Sequence, residues 1–363
     1  MNGKKWIRAW IIIIIIIPFV GGFNYIIDPL SYNDIFLYKY NANKVTFTDE
    51  RRHKFNLIKT KKYNTYLFGS SRNTIIDPSL VNNRLNTQAI NSAFSGATIN
   101  EIEIYINYLL NNNYDVKYIF IPIDLFSFGS TYESNGKIPK EMIDSNKSEY
   151  LEYLEYFTLS MLKKSLLTVY KNTQELISDD FKIYSQKGMY SQKGMRYYER
   201  YLNLNKDNFE NYIIKNVTSK TPYWHSNKIS NIRVKKLQNI YNKLIKRNIK
   251  VFIYTNPITY QQILKGTSFL VQLNLLEKIV NKTNIKIYDF NNLNDINLNN
   301  NYFIDNFHFN YKVADCIVDR ITTGDSQCGN NFGKVINHKN IQKYKENIEN
   351  KYKILKQTKI YHK

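Results

Sequence analysis

Apolar residues follow two alternating patterns along most of this chain. Short apolar runs of strand length are separated by longer stretches in which apolar residues recur every three or four positions, as on one face of a helix. The predicted strands are Tyr66–Phe68, Gln88–Ser92, Lys117–Ile123, Lys250–Tyr254 and Ile285–Tyr288. Strands that alternate with helices favour a parallel sheet covered by helices on both faces, and therefore an α/β fold.

Two of the predicted helices begin with capping signals. Asp77 is suited to cap a helix in which Pro78 takes the first position, where its missing N–H costs nothing, and this helix is predicted to reach Leu85. Thr98 and Glu101 form a capping box ahead of a second helix. Because each helix follows a predicted strand, the loops before them are expected at the carboxyl edge of the sheet, where ligands bind in folds of this kind.

The first 27 residues differ from the rest of the chain. Trp6–Ile27 is a 22-residue window with only two strongly polar members, Arg8 and Asn24, and it is long enough to span a bilayer. Lysines and an arginine at its start place the N-terminus in the cytoplasm and the remainder of the chain outside it. Small residues at Val20–Gly22 leave a cleaved signal peptide as the alternative, although the apolar window continues past them.

The remaining patterns divide the chain into segments. They are a cytoplasmic tip and transmembrane anchor (1–27), a stalk and lead-in helix (28–62), an α/β domain in two parts (63–129 and 231–325), a Tyr-rich helical insertion (130–230) and a basic C-terminal tail (326–363). The insertion contains the hexapeptide YSQKGM twice in tandem, at 184–189 and 190–195. Two copies are too few to form a repeat architecture.

The chain has a formal net charge of +21, and the partners that this charge favours depend on the compartment in which the protein lies. Outside the membrane, such a charge favours anionic lipid headgroups or acidic envelope polymers as partners, not nucleic acid. Part of the excess lies in the last 30 residues, which carry nine lysines and two glutamates, and a solvated basic surface explains it equally well.

The two cysteines, Cys316 and Cys328, are expected in an oxidising compartment. A disulfide between them would contribute roughly 3 kcal/mol in the chain-entropy model. Alternatively, Cys316 is a small core residue, since apolar neighbours surround it at helical spacing. No CxxC motif or His/Cys cluster is present, so neither a metal nor another cofactor is expected.

Candidate chemistry begins where the first predicted strand ends. Gly69, Ser70 and Ser71 follow it directly, and a hydroxyl in a tight strand-to-helix turn is suited to act as a nucleophile. A nucleophilic serine needs a base and a group that orients the base. Asp305 and His308, three positions apart after the last predicted strand, can supply both.

An oxyanion donor is predicted after the second strand. Gly96 lies just before the capping box, where its N–H is expected to be free. Together with the Ser71 N–H it could stabilise a tetrahedral intermediate.

These motifs resemble, in the same order, the blocks of the SGNH (GDSL-type) hydrolases. Gly-Ser-Ser after the first strand, Asn91-x-x-x-Ser-Gly-Ala-Thr after the second and Asp-x-x-His before a late helix carry the resemblance, which covers about residues 63–325. It implies a flavodoxin-like three-layer fold, with Ser71 as nucleophile, Gly96 as oxyanion donor, His308 as base and Asp305 as its partner. The membrane-anchored layout also resembles the envelope branches of that superfamily, which include polysaccharide O-acetylation and D-alanyl transfer proteins.

The chain departs from the pattern of that family at two points. The family usually has Asp where Ser70 stands, so Ser70 is an alternative nucleophile. It also supplies an oxyanion asparagine after the third strand, where this chain has Asp124. Asp124 could donate only if protonated, and Asn256, after the fourth strand, is the other candidate for that position.

The expected function is therefore an exported, membrane-anchored serine esterase or O-acyltransferase acting on a cell-envelope polysaccharide. Expected partners are an envelope glycan or acylated polymer, the membrane through residues 6–27, and an acyl-donor membrane protein. The alternative is a non-catalytic SGNH-like scaffold that binds an anionic envelope polymer, and Asp124 favours it.

Overall fold

The computed structural model describes residues 3–33, 35, 40–41, 50–60, 63–134, 138–139, 153–177, 228–264, 268–303 and 307–360. The α-helices of these residues are α1 Gly3–Ile27, α2 Glu50–Thr60, α3 Pro78–Leu85, α4 Ile99–Asn111, α5 Leu159–Ile177, α6 Asn231–Ile245, α7 Tyr260–Leu264, α8 Ser268–Val280, α9 Asp295–Leu298, α10 Tyr311–Thr323 and α11 Ile341–Ile360. Short 3₁₀ turns lie at Ser71–Asn73, Leu125–Phe128, Glu155–Phe157 and Asn300–Tyr302.

The described strands form one six-stranded sheet. They are β1 Thr65–Leu67, β2 Ala89–Asn91, β3 Tyr118–Ile123, β4 Lys250–Thr255, β5 Ile287–Asp289 and β6 Lys334–Ile336. The spatial order is β2-β1-β3-β4-β5-β6, and every neighbouring pair is parallel except β5 and β6. The predicted parallel sheet is confirmed for β1 to β5, each of which is present with slightly different ends, whereas the antiparallel strand β6 is not among the predicted strands. The order reverses direction between β1 and β3, which places the loops after these strands at a crevice on the carboxyl edge.

The chain divides into two compact units. One comprises Met1–Lys61 and Gly136–Gly194 and is called the anchor unit because it contains the expected membrane anchor. The other, the α/β unit, comprises Lys62–Asn135 and Met195–Lys363. The helical segment 153–177 of the predicted insertion therefore groups with the N-terminal residues. The tandem hexapeptide at 184–195 lies outside the described residues.

The local signals explain why the helices begin where they do. The Asp77 side chain accepts a hydrogen bond from the Ser79 N–H, with Pro78 in the first turn of α3. The Thr98 side chain accepts from the Glu101 N–H, and the Glu101 carboxylate accepts from the Thr98 N–H, so both predicted caps are confirmed. These caps fix the starts of α3 and α4, and hence the loops that follow β1 and β2.

Residues 326–360, most of the predicted basic tail, are part of the folded α/β unit, so the expectation of a tail is wrong for them. Residues 334–336 add the antiparallel edge strand β6 to β5, and α11 follows. Ile348 and Tyr352 of α11 are buried, and the Tyr352 ring stacks on Phe269 of α8. The hydroxyl of Tyr344 donates to the buried carboxylate of Asp289 at the end of β5. An apolar stripe at helical spacing therefore packs against α8 and the end of β5, while the lysines of α11 occupy its other positions.

Cys316 and Cys328 form a disulfide, with their Cα atoms 5.8 Å apart. Cys316 is also buried on the inner face of α10. It is therefore both a disulfide partner and a small core residue, the two alternatives that the sequence left open.

The anchor unit contains the single described helix that is long and apolar enough to cross a membrane, α1. Its most apolar 18-residue window has a mean hydropathy of 2.3 and is mostly exposed. Such a helix is suited to be a membrane anchor or a signal sequence.

Candidate active site

The turn after β1 presents Ser71 at the carboxyl edge of the sheet. Gly69 has φ +144°, a backbone conformation that side chains disfavour, and a Cβ at this position would collide with the Asn73 side chain. Ser70 then caps the 3₁₀ turn Ser71–Asn73, and its hydroxyl accepts from the Arg72 N–H. The glycine and the cap bend the chain so that Ser70 is buried while Ser71, one residue later, is partly exposed.

His308 meets Ser71 from the far end of the sequence. The Ser71 Oγ lies 2.9 Å from the His308 Nε2, a hydrogen-bond distance across 237 residues of chain. A bridge between Phe303 and Phe309 and the cap of α10 by Asn310 hold the loop that carries the histidine. Asp305, the predicted orienting carboxylate, lies outside the described residues, as 304–306 are not described.

Gly96 lies in the neighbouring loop, after β2. Its φ of +64° is in the left-handed region, and a Cβ there would be 2.6 Å from the Tyr132 hydroxyl, which donates to the Gly96 carbonyl. The Phe94 N–H donates to the Gly69 carbonyl at 3.0 Å, which ties this loop to the nucleophile turn. Within the part of the chain that the structure describes, the N–H groups of Gly96 and Ser71 donate no hydrogen bond, so both are available to a ligand.

A buried polar network lies directly beneath Ser71. Asp124 is at its centre and accepts hydrogen bonds from three side chains. The carboxylate of Asp124 receives the Ser70 hydroxyl at 2.7 Å, the Arg72 Nη1 at 2.6 Å and the Asn256 Nδ2 at 3.0 Å. All four side chains are buried. The Ser70 hydroxyl is thus engaged with a carboxylate and not with an imidazole.

Arg72 connects this network to the loop that carries the histidine. Its Nε donates to the carbonyl of Phe307 at 3.0 Å, and its Nη2 donates to the carbonyls of Asn256 and Pro257, both at 2.8 Å. Arg72 itself lies in the loop after β1. Its guanidinium contacts Asp124 in the loop after β3, two carbonyls in the loop after β4, and the carbonyl of the residue before His308. Sequence analysis missed this role, although Arg72 directly follows the candidate nucleophile.

Asn256 is also committed to this network. Its amide group donates to Asp124 and to the Asn73 Oδ1, and its own Oδ1 accepts from the Asn73 Nδ2. The Asn73 amide donates as well to the hydroxyl of Tyr254, whose pKa is raised, chiefly by burial and secondarily by the charge of Asp124. Asp124 and Asn256, the two candidates for the further oxyanion donor, therefore face each other and not the surface.

No protein-family model matches the chain, and no curated protein sequence matches it either. Among the described residues, no three His, Cys, Asp or Glu side chains are grouped so that they could hold a metal ion. Among the described residues, Ser71 and His308 are the predicted catalytic side chains that the structure brings within hydrogen-bond distance.

Proposed function

We propose that this protein is a membrane-anchored serine esterase or O-acyltransferase that acts on an envelope polysaccharide. The observation that carries the proposal is the 2.9 Å contact between the Ser71 Oγ and the His308 Nε2 at the carboxyl edge of the sheet. A hydroxyl and an imidazole at this distance form the core of a nucleophile and base pair. The resemblance of the motifs to SGNH hydrolases supports the same reading.

In the proposed reaction, the Ser71 Oγ attacks the carbonyl carbon of an ester while the His308 Nε2 takes the hydroxyl proton. The C–O bond to the leaving alcohol then breaks, and His308 returns the proton to that alcohol. The acyl group remains on Ser71 until water or a sugar hydroxyl, deprotonated by His308, attacks the acyl carbon. The bond from that carbon to the Ser71 Oγ then breaks, and His308 returns the proton to Ser71. Asp305 is assigned to hold the Nδ1 proton of His308, three positions away in sequence.

Two backbone groups are assigned to the oxyanion hole. The N–H of Ser71 and the N–H of Gly96 lie in adjoining loops that the Phe94 to Gly69 hydrogen bond joins. An oxyanion formed at the acyl carbon gains most from donors that are already oriented before the reaction. In this assignment Asn256 is not a donor, because both of its N–H bonds serve the buried network.

The environment of Asp124 weakens the case for a non-catalytic scaffold. An ionised carboxylate near an oxyanion hole would oppose the reaction, which is why Asp124 favoured that alternative. Here the carboxylate is paired with the Arg72 guanidinium at 2.6 Å and receives two further hydrogen bonds. The guanidinium therefore balances the negative charge of Asp124 at close range. The carboxylate also fixes the turn that carries Ser71, through its bonds to Ser70 and Arg72.

Hydrolysis of a nitrophenyl acetate tests the proposal. The full chain in detergent should release nitrophenol, and Ser71→Ala and His308→Ala should each lower the rate to the uncatalysed background. Ser79→Ala and His338→Ala are matched controls, because both residues are exposed and lie outside the site. Unchanged hydrolysis in Ser71→Ala would refute the assignment of the nucleophile.

Addition of acetyl acceptors to the same assay separates the two reaction types. If the enzyme is a transferase, a polysaccharide with free hydroxyls should accelerate nitrophenol release and become acetylated. If it is a hydrolase, acetate should be the product whether or not the acceptor is present.

A further inference from the structure

Helix α5 has two opposite faces of different character. Met161, Ser165 and Thr168 lie on one face and are buried, with exposures of 2 %, 0 % and 0 %. The opposite face carries large apolar side chains at helical spacing that remain exposed. Their exposures are 80 % for Leu159, 54 % for Leu166, 39 % for Leu167 and 60 % for Tyr170. A solvated helix would be expected to show polar residues on this face, so the face is suited to an apolar environment.

The start of α5 is fixed to the C-terminal end of α1. The Asn24 Nδ2 of α1 donates to the carbonyl of Tyr156 at 2.6 Å, and the Tyr156 hydroxyl donates to Asp28 at 3.0 Å. Gly21 of α1 lies so close to the ring of Phe157 that a Cβ at this position would collide with the ring unless the ring moved. If α1 crosses a bilayer, these contacts place the first residues of α5 where the anchor leaves the acyl chains.

A small core completes this junction. Leu30, Tyr156 and Met161 bury one another just after the end of α1, and Tyr32 packs against them. Because Met161 belongs to α5, the first turn of that helix has a defined orientation relative to α1. The apolar face of α5 is therefore presented beside the segment that would enter the membrane.

The charges of α5 suit the headgroup region of a bilayer. Between Leu159 and Asn172 the sequence has three lysines and no acidic residue. Lys163 is exposed and lies among the apolar residues, beside Leu159 and Leu166 on the same face. A lysine can lay its methylene chain along apolar surface and extend its ammonium group to a lipid phosphate.

We propose that α5 lies in the interface of the bilayer beside α1, with its exposed face in contact with acyl chains and Lys163 near anionic phospholipid headgroups. A helix with one apolar face and a basic border binds membrane surfaces in this way. Helix α5 would then be a second element, besides α1, that holds the anchor unit against the membrane. It does not depend on the proposed ester chemistry.

Spin labelling of the full chain can test this placement. The two cysteines of the sequence form a disulfide, so a single introduced cysteine is the only free thiol. Leu166→Cys carries the label on the apolar face, and Ser160→Cys is the control, exposed but to one side of that face. In vesicles of phosphatidylcholine and phosphatidylglycerol, collisions with oxygen report acyl chains, and collisions with a water-soluble nickel chelate report solvent.

The ratio of oxygen to chelate collisions should be clearly higher for the label at position 166 than for the label at 160, which lies at the margin of the apolar face. Equal access of the chelate to both labels would mean that the face is in water, and would overturn the proposal. Protection of the label at 166 from both reagents would mean that protein covers the face, which would overturn it as well.

Lys163→Glu tests the headgroup contact separately. In vesicles that contain phosphatidylglycerol, this substitution should lower the oxygen-to-chelate ratio of the label at 166, because a carboxylate is repelled by the anionic surface. In phosphatidylcholine vesicles the ratio should change much less. An equal change in both lipids would refute the role assigned to Lys163.

Discussion

Removing the Arg72 guanidinium should destabilise the α/β unit strongly. In Arg72→Met the buried carboxylate of Asp124 loses its cation, and the carbonyls of Asn256, Pro257 and Phe307 lose their donors. Breaking a buried ion pair by deleting one partner costs about 3–5 kcal/mol, because the other charge remains without compensation. We expect the free energy of unfolding to fall by that amount.

The same substitution at a surface ion pair provides the control. Arg84 bonds Asp319 at 2.8 Å, but the Arg84 side chain is 42 % exposed, compared with 4 % for Arg72. Exposed pairs of this kind contribute about 0–1 kcal/mol, so Arg84→Met should have a small effect. Pulse proteolysis of the full chain in urea, in detergent, gives the unfolding midpoint of each variant.

A double substitution isolates the charge of Asp124. In Arg72→Met/Asp124→Asn no uncompensated carboxylate remains, so the double variant should be more stable than Arg72→Met alone, with a coupling energy of about 1–3 kcal/mol. The reasoning would be refuted if Arg72→Met cost no more than Arg84→Met, or if Asp124→Asn gave no relief in the double variant.

Three further measurements test an oxyanion donor, the disulfide and a buried carboxyl group. Gly96→Ala should lower esterase activity about 10²–10³-fold, because a Cβ at φ +64° meets the Tyr132 hydroxyl and displaces an oxyanion donor. Reduction of the Cys316–Cys328 disulfide should lower the free energy of unfolding by about 3 kcal/mol and the thermal midpoint with it. Burial, with nearby Asp77 and Asp319, raises the pKa of Asp315 to about 6, so Asp315→Asn should stabilise the protein above pH 6 and have little effect near pH 4.

The sign of the pH effect follows from the direction of the shift. The pKa of Asp315 is higher in the folded state than its ordinary value near 4, so folding favours the protonated carboxyl. Stability from this group is therefore complete below pH 4 and is lost as the pH rises through 6. The assignment to Asp315 would be contradicted if the difference in urea midpoint between wild type and Asp315→Asn stayed constant from pH 4 to pH 8.

Matched comparisons decide the other two predictions. Gly324 also has a positive φ, +84°, but a Cβ there meets nothing, so Gly324→Ala should lose some stability and retain its activity. Equal activity losses at Gly96 and Gly324 would remove the local explanation. An unfolding midpoint that does not respond to reductant, with both thiols shown to be free, would contradict the stabilising role of the disulfide.

Sequence patterns predicted the five parallel strands and the two capped helices that follow β1 and β2, because these elements carried their own local signals. Asp77 and Pro78 marked the start of α3, and the Thr98 and Glu101 box marked the start of α4, since caps satisfy backbone groups within one turn. The proximity of Ser71 and His308 also followed, because the ends of parallel strands share one edge.

The buried network could not be predicted in the same way. Its pairs, such as Arg72 with Asp124, join side chains that are 52 or more residues apart, and no periodicity indicates which buried polar groups meet. The missed edge strand β6 and helix α11 are different. Ile341, Tyr344, Ile348 and Tyr352 recur every three or four positions, but the lysines between them favoured a solvated tail.

Covalent capture of the nucleophile shows whether His308 activates the Ser71 hydroxyl. The full chain is treated with a fluorophosphonate, digested, and the modified peptide is sequenced by mass spectrometry. We expect a phosphonyl group on the Ser71 oxygen in the wild type, and none in His308→Ala under the same conditions, because the imidazole 2.9 Å away activates the hydroxyl. Modification of Ser70 in place of Ser71, or labelling that is unchanged in His308→Ala, would contradict it.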